Sequence, residues 1–193
     1  MAGRSISTTS ACSSSRRVPD DARGLLQFAR DLPGGLALRE ELPGDGDFLA
    51  ALYADTRAEE LRPVPWGEAE KVAFLRQQFE LQRQHYRLHY PRAQWLVILR
   101  GGVTIGRLYL EAGNAELRLM DIALLAAERG QGTGAALLAR VLDYARSLGL
   151  PVGLHVEPFN PAQRWYARMG FEHREMRGIY SFMLRPADPS GVS

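Results

Sequence analysis

The sequence predicts a single α/β domain of the α+β kind, in which one mixed sheet begins with an antiparallel meander. Three strand-like runs follow one another over residues 95–125, separated by Gly-Gly and Gly-Asn turns, as is typical of consecutive antiparallel strands. From residue 117 onward the order becomes strand, glycine-rich turn, helix, strand, helix and strand. The chain has 193 residues, of which 46% are hydrophobic and 24% charged, so it can bury one core of ordinary size.

The two ends of the chain differ in composition from the part between them. Residues 1–22 are rich in Ser, Thr and Arg and nearly free of large apolar side chains, which predicts a disordered tail. A transit peptide or an over-long start would have the same composition, whereas a secretory signal would need an apolar stretch. Residues 23–34 are a lead-in without a clear pattern, residues 35–186 are the predicted domain, and residues 187–193 are a C-terminal tail.

The first half of the domain is predicted to contain one strand and two helices. Alternation over residues 35–42, ended by Pro-Gly, predicts the first strand. Asp45 or Asp47 can cap a helix whose apolar positions fall on one buried face, and the two prolines within residues 62–66 end it. A second amphipathic helix is predicted from about residue 67 to residue 90.

The meander and the helix after it come next. The three strands are predicted over residues 95–100, 103–111 and 117–125. An amphipathic helix then covers residues 132–148 and ends at Gly149, because glycine readily takes the left-handed conformation of a helix C-cap.

The last part of the domain contains a strand, a helix and a strand. Residues 151–157 are short and apolar, as expected of a buried strand. Asn160 can cap a helix that has Pro161 at its first position and Gly170 at its end. A strand over residues 179–184 closes the domain.

Composition excludes several classes of function. The formal net charge is only +2 and the basic residues are scattered among acids, so no nucleic-acid partner is expected. No apolar run approaches the roughly 18–20 residues that span a bilayer, so no membrane partner is expected either. The single cysteine, Cys12, excludes an internal disulfide, and a cytoplasmic location is expected. His85 and His89 have metal-ligand spacing, but no nearby acid or cysteine completes a site, and no metal is expected.

Residues 128–138 read ERGQGTGAALL, a glycine-rich turn leading into a helix, which is typical of an anion site. A nucleoside triphosphate loop would need Lys followed by Ser or Thr, and this stretch contains no lysine. A dinucleotide site would use Gly130, Gly132 and Ala135, with Glu157 at the end of the next strand. The antiparallel strands before the turn and the short chain after it weaken that alternative. Coenzyme A is the third candidate.

Two segments resemble a known family. Residues 129–134, RGQGTG, match the R/Q-x-x-G-x-G/A motif of the GCN5-related N-acetyltransferases, between a strand and a helix as in that family. Residues 160–171, NPAQRWYARMGF, are similar to a later segment of the same family, and the resemblance covers about residues 35–186. It implies a sheet of six to seven strands with helices on both faces and a splayed parallel strand pair. It also implies an enzyme that transfers acetyl from acetyl-CoA to a primary amine.

The resemblance implies where coenzyme A would bind. The loop would hold the pyrophosphate through backbone N–H groups, helped by the positive end of the next helix. Backbone groups of the preceding strand would pair with the pantetheine arm in the gap between the splayed strands. Ala126-Ala127 departs from the Pro-Glu that is frequent before the loop in this family. The implied cofactor-binding residues are Ile122, Leu124, Arg129, Gly130, Gln131, Gly132, Thr133, Gly134 and Asn160.

The resemblance implies that Tyr166 donates a proton to the leaving thiolate. Without the motif, packing against Trp165 and Phe171 would explain the same side chain. Asp121 is a candidate general base and equally a candidate structural hydrogen-bond acceptor. Other candidate bases are Glu59, Glu60, His155 and Glu157.

The acceptor is expected between the loop over residues 59–66, where Trp66 could form an apolar wall, and the strand around Tyr180. A small-molecule or peptide amine fits this position, and the nearby acids are consistent with a cationic one. The sequence leaves a homodimer open. An inactive member that binds coenzyme A or acyl-CoA as a regulatory module is the alternative to an enzyme.

Overall fold

A computed structural model describes residues 23–187 of the chain and shows one mixed sheet. The predicted tail over residues 1–22, with Cys12, and the residues after 187 lie outside the described range. The strands are β1 (Leu36–Glu40), β2 (Gln94–Arg100), β3 (Val103–Ala112), β4 (Leu117–Leu124), β5 (Val152–Val156), β6 (Glu172–Arg177) and β7 (Tyr180–Arg185). Their order in the sheet is β1-β2-β3-β4-β5-β7-β6, which confirms the mixed sheet with an antiparallel N-terminal meander.

Helices cover both faces of this sheet, as predicted. They are α1 (Arg23–Phe28), α2 (Gly46–Leu61), α3 (Glu68–His89), α4 (Thr133–Leu148) and α5 (Ala162–Arg168). Successive side chains of a strand point to opposite faces. Leu96 and Ile98 of β2 therefore join the larger core with α1 and α4, whereas Val97 joins the smaller core with α2 and α3. Within residues 23–187, no helix combines the length and the apolar character that crossing a bilayer requires.

The parallel pair of β4 and β5 splays apart, as expected. Its register begins with Leu117 opposite Val152 and ends with Leu119 opposite Leu154. β4 continues to Leu124 without pairing to β5 any further, so a gap opens between the C-terminal halves of the two strands. On its other side, β5 pairs with β7 along its whole length.

Local signals locate several element boundaries. Gly149 closes α4 with a φ of 66°, and the Asn160 side chain accepts a hydrogen bond from the Ala162 N–H at 2.9 Å at the start of α5. Asp45 precedes α2, but its side chain does not cap that helix. Its carboxylate binds the Arg39 guanidinium at 2.7 Å instead, and this hydrogen bond lowers the pKa of Asp45.

Two elements have no clear signal in the sequence. α1 has only six residues, and tertiary packing orders it: Leu25 is fully buried in the larger core and the Phe28 ring lies 5.5 Å from that of Tyr144. β6 reads EHREMR and all of its residues are exposed, so no apolar alternation marks it. Backbone pairing with β7 at the edge of the sheet defines this strand.

Gly106 of β3 allows a close approach to β4, and we predict that Gly106→Ala destabilises the fold. A Cβ at this position would lie 2.3 Å from the carbonyl oxygen of Ala123, a backbone atom that cannot rotate away. We expect a loss of about 1–3 kcal/mol in the free energy of unfolding, as is usual for overpacking, measured by urea titration. Gly44→Ala is the matched control, because a Cβ at Gly44 meets no atom within 4 Å. Equal midpoints for the two variants would contradict the prediction.

Candidate functional site

The gap between β4 and β5 opens into two adjoining cavities. The first has a volume of about 650 Å³ and the second about 730 Å³. The residues that line both are Arg57, Gln82, Asp121, Ile122, Glu157, Asn160, Ala162 and Tyr166. The two cavities therefore meet where the strands separate, and molecules bound in each would contact the same side chains.

The glycine-rich loop forms one wall of the first cavity. Gly130 and Gly132 have φ values of 74° and 81°, in the left-handed region that glycine favours, and α4 begins at Thr133. The N–H groups of residues 130–135 donate to no protein acceptor in the described part of the chain. The first N–H groups of a helix carry partial positive charge. A row of unpaired N–H groups at this position fits the pyrophosphate of coenzyme A.

Arg129 is fixed by contacts within the protein. Its guanidinium donates to the carbonyl oxygen of Leu124 at 2.8 Å and to the carboxylate of Asp55 in α2. Asp55 also accepts a hydrogen bond from the Ala126 N–H at 3.0 Å, so one carboxylate holds the N-terminal side of the loop. The Leu124 carbonyl, expected to face pantetheine, thus already accepts one hydrogen bond and keeps its second lone pair for a ligand.

The other polar side chains of the loop are also used within the protein. Thr133 Oγ1 accepts a hydrogen bond from Arg100 Nη2 at 2.7 Å, and Arg100 Nε donates to Glu128 at 2.9 Å. Gln131 Nε2 donates to the Ala127 carbonyl at 2.6 Å. These side chains shape the loop, and the backbone is left to bind a ligand.

The predicted cofactor-binding residues lie close together, although not all of them border the cavity. Ile122 and Leu124 follow the last β4 residue paired with β5, and their opposite edge pairs with β3. Asn160 borders both cavities, and its side chain accepts a hydrogen bond from the first N–H group of α5. Gln131 and Thr133 are absent from the described lining. The members of the predicted set that line the first cavity are Ile122, Leu124, Arg129, Gly130, Gly132, Gly134 and Asn160.

Tyr166 of α5 borders both cavities. Its ring packs against Trp165 and Phe171, with centroid separations of 4.8 Å and 5.6 Å. Its hydroxyl has no hydrogen-bond partner among the residues that the structure describes. Burial, and secondarily the charge of Asp121, raises the pKa of Tyr166. A phenol that stays protonated at neutral pH therefore lies where the cavities meet.

Asp121 follows an irregularity in β4, because the register with β3 shifts between the Leu110–Leu119 and Tyr109–Asp121 pairs. Its Oδ2 accepts a hydrogen bond at 2.7 Å from Arg107, whose side chain is only 4% exposed. Arg107 also donates to Gln82 at 3.1 Å, while its Nε has no partner in the described residues. Burial alone would lower the pKa of Arg107, but the charge of Asp121 raises it overall. Asp121 thus accepts a hydrogen bond from a buried cation, and its role as a general base stays a prediction.

The other candidate bases among the acids are paired with arginines. Arg57 donates to Glu60 at 2.9 Å and lies 3.6 Å from Glu157. Glu157 borders both cavities and Glu60 only the first. Glu59 pairs with Arg62 on the surface and borders neither of these two cavities.

The residues predicted to surround the acceptor do not all line the two cavities. Tyr180 and His155 line the second cavity, whereas Trp66 borders neither cavity because it packs edge-on against Phe74 at 5.2 Å. Burial, followed by two nearby arginines, lowers the pKa of His155, so this imidazole is neutral at pH 7.

The two histidines with metal-ligand spacing are neighbours on α3. The rings of His85 and His89 lie 4.3 Å apart, and His85 borders the second cavity. In residues 23–187, no group of three or more His, Cys, Asp or Glu side chains is placed to hold a metal ion.

Several charged residues of the site are absent from the sequence predictions. Arg107 does leave a signal, since it is a charged residue in the middle of the apolar strand VTIGRLYL. Asp55 and Arg100 leave none, because their partners lie far away in the sequence, and the same holds for the contact of Arg57 with Glu157. The Asp55 contact with Arg129, for example, joins two residues whose numbers differ by 74.

Comparison with known proteins identifies one family. The family model described as "Acetyltransferase (GNAT) family" matches residues 53–171. A search among curated proteins finds no match.

Solved structures with the same fold include several acetyltransferases. PaiA N-acetyltransferase from Thermoplasma acidophilum in complex with coenzyme A is 15% identical, with a TM-score of 0.61 over 78% of this chain and 98% of that one. Ard1 from Thermoplasma volcanium is 20% identical, with a TM-score of 0.55 over 79% and 98%. An acetyltransferase from Thermus thermophilus is 19% identical, with a TM-score of 0.56 over 78% and 96%. At these identities the similarity shows the fold alone.

We predict that Arg107→Leu destabilises the protein, because it removes the cationic partner of Asp121. The two side chains are 4% and 17% exposed, and we expect a loss of about 3 kcal/mol in the free energy of unfolding by urea titration. Arg76→Leu is the control, since the Arg76–Asp47 pair is exposed and should contribute little. If both variants unfold at the same urea concentration, the buried pair does not stabilise the fold.

Proposed function

This chain belongs to the acetyltransferase (GNAT) family, and we propose that it transfers the acetyl group of acetyl-CoA to a primary amine by direct attack. The observation that carries this proposal is the meeting of two cavities at the gap between β4 and β5. The first cavity has the N–H groups of the glycine-rich loop in its wall. The second is open to an acceptor, and Tyr166 and Asp121 border both.

In the proposed complex, residues of the first cavity hold the donor. The N–H groups of residues 130–135 bind the pyrophosphate, and the dipole of α4 adds favourable potential. Backbone groups of Ile122 and Leu124 bind the pantetheine arm along the edge of β4 that β5 leaves unpaired. Acetyl-CoA, when bound, supplies an acetyl thioester at the point where the cavities meet.

The proposed chemistry needs one proton donor and one proton acceptor. The amine nitrogen attacks the thioester carbonyl carbon, so a C–N bond forms while the C–S bond breaks. Tyr166 donates its proton to the leaving sulfur, for which a phenol of raised pKa is available in protonated form. Asp121 accepts the proton that the amine loses, directly or through a water molecule, at Oδ1, the oxygen that Arg107 does not engage.

We predict that Tyr166→Phe lowers kcat for acetyl transfer about a hundred-fold or more, as expected for loss of a general acid. The ring and its packing remain, so the Kd for acetyl-CoA should change little. The measurement is release of free thiol from acetyl-CoA across a panel of primary amines. Because the pKa of Tyr166 is raised, the wild-type rate should not decline near pH 10, where an ordinary tyrosine begins to ionise.

Tyr109→Phe is the matched control for this variant. Tyr109 is also buried and its pKa is also raised, but it borders neither of the two large cavities, and its hydroxyl donates to Glu41 at 2.9 Å. Its removal should leave kcat unchanged. Equal kcat in Tyr166→Phe and wild type would remove Tyr166 from the reaction. Tight acetyl-CoA binding without turnover of any amine would support the inactive binding module.

We predict that Gly132→Ala weakens acetyl-CoA binding about ten-fold or more, because it adds a methyl group to a wall of the first cavity. Gly102→Ala is the control. Gly102 has a similar φ, 85° against 81°, and a Cβ at either position meets no atom within 4 Å. Both variants should therefore lose about 1–2 kcal/mol of stability from left-handed strain. Calorimetric titration with acetyl-CoA measures the Kd, and equal Kd values in the two variants would contradict the proposed anion site.

A further inference from the structure

The part of the second cavity that is separate from the first contains two arginines, Arg118 of β4 and Arg177 of β6. His155 of β5 lines the same part. Because Asp121 and Tyr166 line both cavities, an elongated molecule in the second cavity would reach from the two arginines to the point of acetyl transfer.

Arg177 lies over an aromatic ring. Its guanidinium carbon lies 3.7 Å from the ring centroid of Phe182, and its Nε donates to Glu175 at 2.7 Å. Glu175 is 57% exposed and does not line the cavity. A guanidinium has five N–H donors, so its two terminal nitrogens are left to bind a ligand.

Arg118 is held in a similar way. Its guanidinium carbon lies 6.0 Å from the ring centroid of Tyr90, and its Nε and Nη2 donate to Glu116 at 3.1 Å and 2.8 Å. Glu116 does not line the cavity, so the arginine lies between its carboxylate and the cavity space. The planar fork of a guanidinium suits carboxylate and phosphate oxygens.

The carboxylates that line the second cavity have other partners. Asp121 accepts a hydrogen bond from Arg107 at 2.7 Å, and Glu157 lies 3.6 Å from Arg57. They therefore do not neutralise the charge of Arg118 and Arg177.

His155 lines this part of the cavity with the two arginines and is affected by their charge. Burial lowers the pKa of His155 most, and Arg118 and Arg177 lower it further, while Glu116 opposes them. An imidazole whose positive form is disfavoured by its neighbours marks a position where an anion would be favoured.

We propose that the acceptor amine carries an anionic group, a carboxylate or a phosphate, which Arg118 and Arg177 bind in the second cavity. This inference rests on the proposed function, since it assigns an anionic group to the end of the acceptor that lies away from the reacting nitrogen. Arg118 and Asp121 are three residues apart on β4, which places their Cα atoms within about 10 Å. An acceptor that reaches from Asp121 to Arg118 therefore has its amine and its anionic group separated by several bonds, unlike an α-amino acid.

The test compares acceptors that differ only in the charge of the distant group. Acetyl transfer is measured for a series of ω-amino acids of increasing length and the primary amide of each, for aminoalkyl phosphates and the corresponding amino alcohols, and for diamines. We expect kcat/KM for the best ω-amino acid or aminoalkyl phosphate to exceed that of its neutral counterpart about ten-fold or more. The more active of the two anionic series identifies the anion as carboxylate or phosphate. Equal rates for the acids, the phosphates and their neutral counterparts would overturn the proposal.

Variants then assign the preference to residues. Arg177→Gln and Arg118→Gln should each abolish most of the preference for the anionic acceptor while leaving the rate with the neutral amide nearly unchanged. Arg174→Gln is the matched control, because Arg174 lies on the same strand as Arg177, pairs with Glu172 at 3.0 Å and does not line the cavity. A preference that persists in both Gln variants would overturn the proposal. Thermal unfolding checks folding, and Arg177→Gln on the exposed edge strand gives a result even if Arg118→Gln does not fold.

Direct binding separates this proposal from the proposed function. Calorimetric titration of the coenzyme A complex with the ω-amino acids, aminoalkyl phosphates and amides measures acceptor affinity without turnover. Tighter binding of an anionic acceptor that is lost in Arg177→Gln, without acetyl transfer, would support the anion site and contradict the enzyme. Acetyl transfer without any difference between anionic and neutral acceptors would support the enzyme and contradict the anion site.

Discussion

The separation of β4 from β5 is the constraint on which the rest of the site depends. Parallel strands in a sheet normally satisfy each other's backbone groups, yet this pair stops after the Leu119–Leu154 pair. β5 can leave β4 because β7 pairs with it along its whole length, and β4 stays in place because β3 pairs with its other edge. The unpaired edge of β4 and the space beside it are thus a product of sheet topology. Both cavities open there because the sheet is interrupted at that point.

The glycine-rich loop depends on a second feature of the fold, since its backbone N–H groups are unpaired within the described residues and do not hold it in place. Side chains from other elements hold it in place. Asp55 of α2 binds Arg129 and the Ala126 N–H on one side, and Arg100 of β2 binds Glu128 and Thr133 on the other. These contacts fix the loop that follows Ala126-Ala127, where related proteins frequently have Pro-Glu. The rigidity comes from tertiary ion pairs, and the N–H groups remain available.

The features that could be predicted from the sequence are those with a local physical cause. The loop glycines, the hydrogen bond of Asn160 at the start of α5 and the end of α4 at Gly149 each leave a signal within a few residues, and the structure has these features. β6 could not be predicted, because an edge strand exposed on both faces has no apolar alternation. The contact of Arg57 with Glu157 joins residues a hundred positions apart, and only the completed fold brings them together.

The charges around Tyr166 also couple the two proton transfers of the proposed reaction. Burial raises the pKa of Tyr166 most, and the negative charge of Asp121 raises it further, so this charge favours the protonated phenol. When Asp121 accepts the proton of the attacking amine, that charge disappears and the pKa of Tyr166 falls. The phenol thus becomes a stronger acid as the sulfur leaves. Arg107, buried beside Asp121, holds the carboxylate at the place where this exchange is effective.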